Sequence, residues 1–203
     1  MSSQKTQIAN LALIRIGVSK TITDVDTESS TEARLIRLAW DNERDAVLED
    51  FPWPFARKYV TLGLTGGSST TAVNNDWQYS YGYPSDCLFA RRLVTVAGRN
   101  NTAPPPFVIG QDDDGQLIFT DESEAVLEYT ARVLDPSRFT ALFSSALAWK
   151  IAATVATPLS RVKDIMTAAE RGYAIEISRA RARALNESQQ DDAAESEFIR
   201  ARD

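Results

Sequence analysis

The stretch GQDDDGQLIFTD, which begins at Gly110, has the residue types of a calcium site. Carboxylate oxygens are the ligands that Ca²⁺ prefers, and an EF-hand loop places them at fixed positions around an invariant glycine. With Gly115 as that glycine, Asp112 and Asp114 occupy the third and fifth positions of the loop. Gly110 then stands at the first position without a side-chain ligand, and Asp121 at the twelfth, where a longer glutamate is required. The spacing therefore lacks the first and last ligands of a calcium loop.

The same stretch has the pattern of a β-hairpin. Asp-Gly between two alternating apolar runs is a strong hairpin signal, and the residues on both sides favour strands over helices. We therefore predict an acidic turn between two strands, with no metal ligands and no cofactor. A calcium-dependent binding module is the alternative, and it requires this loop to bind metal.

The composition removes most of the familiar catalytic chemistry. The 203 residues include no histidine and one cysteine, Cys87. Without imidazole there is no Ser-His or Cys-His nucleophile pair, and most zinc sites are excluded. Neither GxxxxGK[ST] nor GxGxxG occurs. We expect no catalytic residue and interpret Cys87 as a core residue; the alternative from another class is a small hydrolase or lyase that uses paired carboxylates in a pocket.

The charge balance bounds the partners. A net charge of −6 argues against tight binding of nucleic acid, although DNA could pass an acidic surface without adhering to it. No stretch approaches the roughly 18 continuous apolar residues of a membrane span, so no membrane partner is expected. The N-terminal residues lack the continuous apolar region of a signal peptide.

The elements that would position these residues are two pairs of helices with a group of short strands between the pairs. Amphipathic periodicity, a Ser29/Glu32 capping box and the starts at Asp135-Pro136 and Thr157-Pro158 indicate helices. These helices are expected at residues 3–16, 29–51, 135–156 and 159–186. Between them, five or six short strands with turn residues predict a small antiparallel sheet.

The predicted fold class is therefore α+β. It is a four-helix bundle with a small antiparallel β region inserted between helices two and three, followed by a flexible C-terminal tail. The corresponding domains are residues 1–56 and 134–186 for the bundle, 57–133 for the β region and 187–203 for the tail.

Several side chains are candidates for contact with other proteins. Strand alternation would place Trp77, Tyr79 and Tyr81 on one face of one strand, and Arg179 and Arg183 share a helix face at i,i+4. Core packing and solvated faces are the ordinary interpretations of such residues. The full set of interface candidates is Trp40, Arg44, Trp53, Trp77, Tyr79, Tyr81, Asp112, Asp114, Arg179, Arg183, Phe198 and Ile199.

The order of the motifs resembles a known family, the phage head-to-tail connector proteins related to tail tubular protein A. The resemblance spans roughly residues 7–187 and depends on the order and spacing of motifs that are individually weak. They are IG at residues 16–17, WDNERDAVL at 40–48, WPFA at 53–56, YSYGYPSDCL at 79–88 and DPSRF at 135–139, with the Ala/Arg-rich helix that follows residues 146–159.

The resemblance implies a structural virion protein without catalytic residues. Such adaptors form a ring, usually of twelve copies, between the portal of a DNA-filled capsid and a tail nozzle or tail-tube protein. The implied partners are portal, tail protein, further copies of the chain and genomic DNA that passes without specific binding. The location is the phage neck, assembled in the host cytoplasm, and the tail at 187–203 would reach the portal. Another head-completion or tail-terminator protein of the virion is the alternative.

Overall fold

The computed structural model describes residues 3–65, 76–94, 104–113, 115–160 and 163–188. Two 3₁₀ turns, Pro54–Ala56 and Pro136–Arg138, precede the first strand and the third helix. The helices and strands, in chain order, are α1 Gln4–Arg15, α2 Thr31–Glu49, β1 Arg57–Thr61, β2 Tyr79–Gly82, β3 Cys87–Val94, β4 Phe107–Asp112, β5 Gly115–Thr120, β6 Val126–Ala131, α3 Ala141–Ser160 and α4 Lys163–Ser188.

The predicted fold class, a four-helix bundle with a small β insert, is wrong. The described residues form four helices, two near each end of the chain, and two three-stranded antiparallel sheets. Sheet A has the order β1-β6-β3, and sheet B has the order β2-β5-β4. Alternation in the sequence shows where strands lie but not which of them pair, and β6 returns to lie between β1 and β3.

The two sheets have a hydrophobic core of their own. Leu127 and Leu93 of sheet A pack in one cluster with Tyr81 and Ile118 of sheet B, and all four are at most 1% exposed. Because this cluster is separate from the helical core, the β part is a second packed layer and not an appendage of a bundle.

The helical core is organised around α3. This helix contacts α1, α2 and α4, and its Phe143, Leu147 and Ile151 are fully buried. The helix starts are capped by serine: Ser3 Oγ accepts from Thr6 N in α1. In α2 the cap is Ser30 and not the predicted Ser29, because the Ser30 hydroxyl reaches the backbone of the first turn.

The third and fourth helices begin later than predicted. Asp135 accepts a hydrogen bond from Ser137 N at 2.9 Å, but this start signal closes only a 3₁₀ turn. Thr140 then caps α3, with its Oγ1 3.3 Å from Phe143 N. Pro158 does not open α4; it lies in the last turn of α3, although proline has no N–H to donate to the carbonyl four residues earlier.

The helix α3 is long and apolar enough, by length and composition, to cross a membrane. Half of its most apolar window is buried inside the protein. Central helices of compact domains commonly have this composition, and the contacts of α3 with the three other helices are of that kind.

Helix α4 approaches α3 closely at Gly172. A Cβ added there would lie 2.6 Å from Cδ2 of Trp149, far inside van der Waals contact. We expect Gly172→Ala to lower the free energy of unfolding by about 1–3 kcal/mol through overpacking, although alanine is favoured over glycine in a helix by about 1 kcal/mol. Urea denaturation would measure the change. Ser178→Ala, on the exposed side of α4, is the control and should change stability by less than about 0.5 kcal/mol; a stabilised Gly172→Ala would contradict the packing of Trp149.

Candidate interaction surfaces

Two of the candidate tryptophans belong to the helical core. Trp53 is 1% exposed, and its indole N–H donates to Val47 O at 2.8 Å. Its ring stacks edge-on against Phe143, with centroids 5.1 Å apart. Trp40 is 3% exposed and lies beneath the ammonium group of Lys5. Neither side chain presents a surface to a partner of the folded subunit.

Arg44 is also buried, and its contacts join the helical part to sheet A. The guanidinium lies 2.7 Å from carboxylate oxygens of both Asp41 and Asp45. Asp45 also pairs with Arg132, the residue directly after β6, at 2.9 Å from its Nε. The charged residues that recur along α2 therefore form ion pairs within the subunit, and their role is structural.

The aromatic run at residues 77–81 does not share one face as predicted. Tyr81 is 1% exposed within the sheet core, its hydroxyl donates to Glu122 O at 2.7 Å, and Tyr79 packs beside it. Trp77 lies before β2 and packs in a separate cluster against Leu117 and Phe119. The alternation fails at Trp77 because the strand begins only at Tyr79.

The acidic stretch forms the predicted hairpin, which is confirmed by the pairing of β4 with β5 down to Asp112 opposite Gly115. Gly115 has a φ of 142°, which glycine adopts readily. Asp112 Oδ1 accepts from Gly115 N at 2.9 Å, whereas Asp121 Oδ1 accepts from Gln78 N at 3.0 Å. Asp114 lies outside the described residues.

The hairpin geometry separates the carboxylates that a calcium loop would bring together. Asp112 and Asp121 stand at opposite ends of β5, which at about 3.3 Å per residue is roughly 20 Å long. They cannot bind one ion. In the part of the chain that the structure describes, no group of three or more Cys, Asp or Glu side chains could hold a metal ion.

The exposed face of α4 is basic and apolar. Arg171, Ile175, Arg179 and Arg183 recur at every fourth residue, and all four are exposed. Arg179 contacts Glu176 at 3.0 Å within the helix. Since Ile175 is 54% exposed, this face combines an apolar contact with cations along one stripe. Phe198 and Ile199, the candidates in the tail, lie outside the described residues.

The exposed face of α2 is basic at Arg34, apolar at Leu38 and acidic further along the helix. Leu38 has 82% of its surface exposed, the largest fraction among the large apolar side chains of the described residues. It borders a shallow groove of about 470 Å³ near the start of the helix. Asp41 and Glu49 continue the exposed face toward the C-terminal end of α2. The C-terminal half of this α2 face is therefore acidic, whereas the exposed face of α4 is mainly basic.

A polar cluster joins α2, α3 and α4 beside a groove of about 290 Å³. Thr154 Oγ1 donates to Glu43 Oε1 at 2.9 Å, and Lys150 Nζ lies 4.0 Å from Glu43 Oε2. Lys150 also lies over the ring of Tyr173, at 5.1 Å from its centroid. Burial raises the pKa of Tyr173 to about 12, so its phenol stays protonated at neutral pH. These contacts connect three helices, and Lys150, Thr154 and Tyr173 also line the groove.

The carboxyl groups with a shifted pKa all have a lowered pKa, whereas one member of a catalytic carboxylate pair has a raised pKa. Burial alone would raise the pKa of Asp86, but donors from Lys58 and Tyr129 lower it below its usual value. In the others the largest contribution is a hydrogen bond that lowers the pKa. These groups are Asp24, Glu28, Glu32 and Asp135. A carboxylate dyad that shares a proton requires a raised pKa in one member.

Sequence reasoning missed the outer face of sheet A. Glu128 on β6 is 5% exposed and lies 2.6 Å from Arg92 Nε on β3 and 3.3 Å from Arg57 Nε on β1. Arg91 Nε donates to Thr130 Oγ1 at 2.9 Å on the same face. The charges were visible in the sequence, but only the strand order β1-β6-β3 brings them together.

No protein-family model matches the chain, and no curated protein matches it either.

Proposed function

We propose that the chain is a structural virion protein, a head-to-tail adaptor that assembles as a ring between a phage portal and the tail. The resemblance of its ordered motifs to tail tubular protein A supports this proposal. So do the unlike outer faces of α2 and α4, which are the observation that carries it.

A ring of identical subunits needs two different complementary faces on each subunit. Such a heterologous interface closes into a ring when the rotation between neighbours divides a full turn. The α2 face offers Leu38 with Asp41 and Glu49, and the α4 face offers Ile175 among arginines. Apolar contact with opposite charges along the C-terminal half of α2 suits α2 of one copy against α4 of the next.

The remaining surfaces suit the other partners of an adaptor. Sheet B ends in the acidic hairpin turn, which is available to a tail nozzle or tail-tube protein. The net charge of −6 suits a channel that genomic DNA crosses without specific binding. Residues 189–203 follow α4 and supply a polar segment for the portal.

Leu38→Asp tests the proposed contact between subunits. The variant should leave the free subunit folded, because the side chain is 82% exposed. It should weaken ring assembly by at least about tenfold, because burying leucine contributes about 1.5–3 kcal/mol and each 1.4 kcal/mol is tenfold. Mass photometry of subunits mixed with the portal protein of the same virus would measure this.

Leu134→Asp is the matched control, since Leu134 is 68% exposed but lies between β6 and α3. It should assemble like the unmodified chain. Equal loss of assembly in both variants would remove the assignment to α2, and normal rings with Leu38→Asp would do the same.

A further inference from the structure

The outer face of sheet A is a basic, partly apolar surface on an acidic protein. Arg57, Arg91, Arg92 and Arg132 lie on this face, and Glu128 is the carboxylate at its centre. The chain as a whole carries a net charge of −6. A concentration of arginines of this kind attracts an anionic ligand.

The face is open to solvent where a ligand would touch it. The Arg92 side chain is 56% exposed although its Nε contacts Glu128, and the Arg132 side chain is 45% exposed although it contacts Asp45. Arg92 also hydrogen-bonds Tyr59, but a guanidinium has five N–H donors, so both side chains keep N–H groups for solvent or a further acceptor. Tyr59 and Phe89 add apolar area, since they are 55% and 47% exposed.

Arg181 in the last third of α4 lies near this face. Arg181 of α4 is paired with Asp50, which directly follows α2. The preceding residue, Glu49, accepts a hydrogen bond through its carbonyl from Arg91 Nη2 at 2.7 Å. Seven further residues, about 10 Å of helix, lead to the last residue of α4, Ser188.

The chain beyond α4 has the matching chemistry. Residues 189–203 comprise 15 residues, which can span up to about 50 Å when extended. Phe198 and Ile199 are their large apolar side chains, and Arg200 and Arg202 their cations. Their acidic residues are Asp191, Asp192, Glu195, Glu197 and Asp203.

We propose that residues 189–203 dock on the outer face of sheet A of their own chain. The acidic residues contact Arg57, Arg92 and Arg132, and the Phe198-Ile199 pair packs on Tyr59 and Phe89. Individual exposed ion pairs are weak. A short tether raises the effective concentration of the segment to the millimolar range, so a weak contact is sufficient. This contact belongs to the free subunit and does not depend on the adaptor role.

Paramagnetic relaxation in the full chain tests the docking. A nitroxide label is placed on Ser196→Cys, with Cys87→Ser removing the native thiol. We expect strong broadening of the backbone amide signals of Tyr59, Phe89 and Arg92 at low salt, and little at 0.5 M NaCl. Amides of α1, such as that of Leu11, serve as the reference for random encounters.

Two further samples make the outcome decisive. In the first, Arg132→Gln should weaken the docking by about two- to fivefold for the lost ion pair, while Glu128 keeps its pairs with Arg57 and Arg92. Arg34→Gln is the matched control, because it removes an exposed arginine elsewhere, and it should change nothing. In the second, labelled chains are mixed with isotope-enriched unlabelled chains, and broadening should be absent.

Each contrary result overturns the proposal. Broadening no stronger on sheet A than on α1 means that the segment does not dock there. Broadening that persists in the mixed sample makes the occupant a second copy. If the segment leaves the face uncovered and a single-stranded oligonucleotide shifts the same amides, the face serves nucleic acid.

Discussion

Replacing Trp53 with alanine is expected to lower the free energy of unfolding by about 3–5 kcal/mol. The side chain is 1% exposed, and its ring lies among Phe51, Phe55 and Phe143 with centroids between 5.0 and 6.2 Å. The substitution leaves a large cavity in this cluster, and it leaves the carbonyl of Val47 without its indole donor. Chemical denaturation of the free subunit, monitored by far-ultraviolet circular dichroism, would give the value.

Two controls separate the parts of this effect. Trp53→Phe keeps an aromatic ring and should cost less than the alanine variant, because its main loss is the hydrogen bond to Val47. Trp77→Ala, in the smaller cluster with Leu117, removes a half-buried indole and should also cost less. If Trp53→Ala left stability unchanged but weakened assembly, Trp53 would be an interface residue and its placement in the core would be wrong.

Glu128→Ala is expected to cost about 2–4 kcal/mol. Glu128 is the buried anion between Arg92 and Arg57, and the Nε of Arg57 is itself buried without a hydrogen bond. Removal of the carboxylate leaves that cation without its neutralising charge. The expected cost lies below that of a fully buried pair because the Arg92 side chain is 56% exposed. Thermal unfolding at neutral pH would measure it.

Glu128→Gln is the control for this substitution, since it preserves the shape and one acceptor while removing the charge. We expect it to be destabilising by less than the alanine variant. A Glu128→Ala protein as stable as the parent would show that the arginines of sheet A do not need the central carboxylate.

The sequence predicted the elements better than their assembly. The amphipathic period located α1 and α2, and Asp-Gly located the hairpin of β4 and β5, because both signals are local. The partition into two sheets was missed, because the pairing of β6 with β1 and β3 joins residues far apart in the chain. The boundary at Pro158 was missed for another reason: proline is typical of the first turn of a helix, but α3 continues through Pro158 to Ser160.

The candidate interface residues also differ in whether local sequence or long-range contacts decide their exposure. Arg179 and Arg183 lie on one exposed helix face, which follows from the i,i+4 period alone. Trp40, Trp53 and Arg44 are buried by contacts with residues far along the chain or with neighbouring turns, which composition does not reveal. The exposed Leu38 has no distinguishing feature in the sequence and was found only from its exposure in the fold.

Electron microscopy of the subunit mixed with the portal protein of the same virus tests the central claim most directly. If the chain is an adaptor, the images should show a second ring of density stacked on one end of the portal, with α2 of each subunit facing α4 of its neighbour. Leu38→Asp should remove that ring, and Leu134→Asp should preserve it. Portal particles without added density at either end, at subunit concentrations well above the micromolar range, would contradict the account.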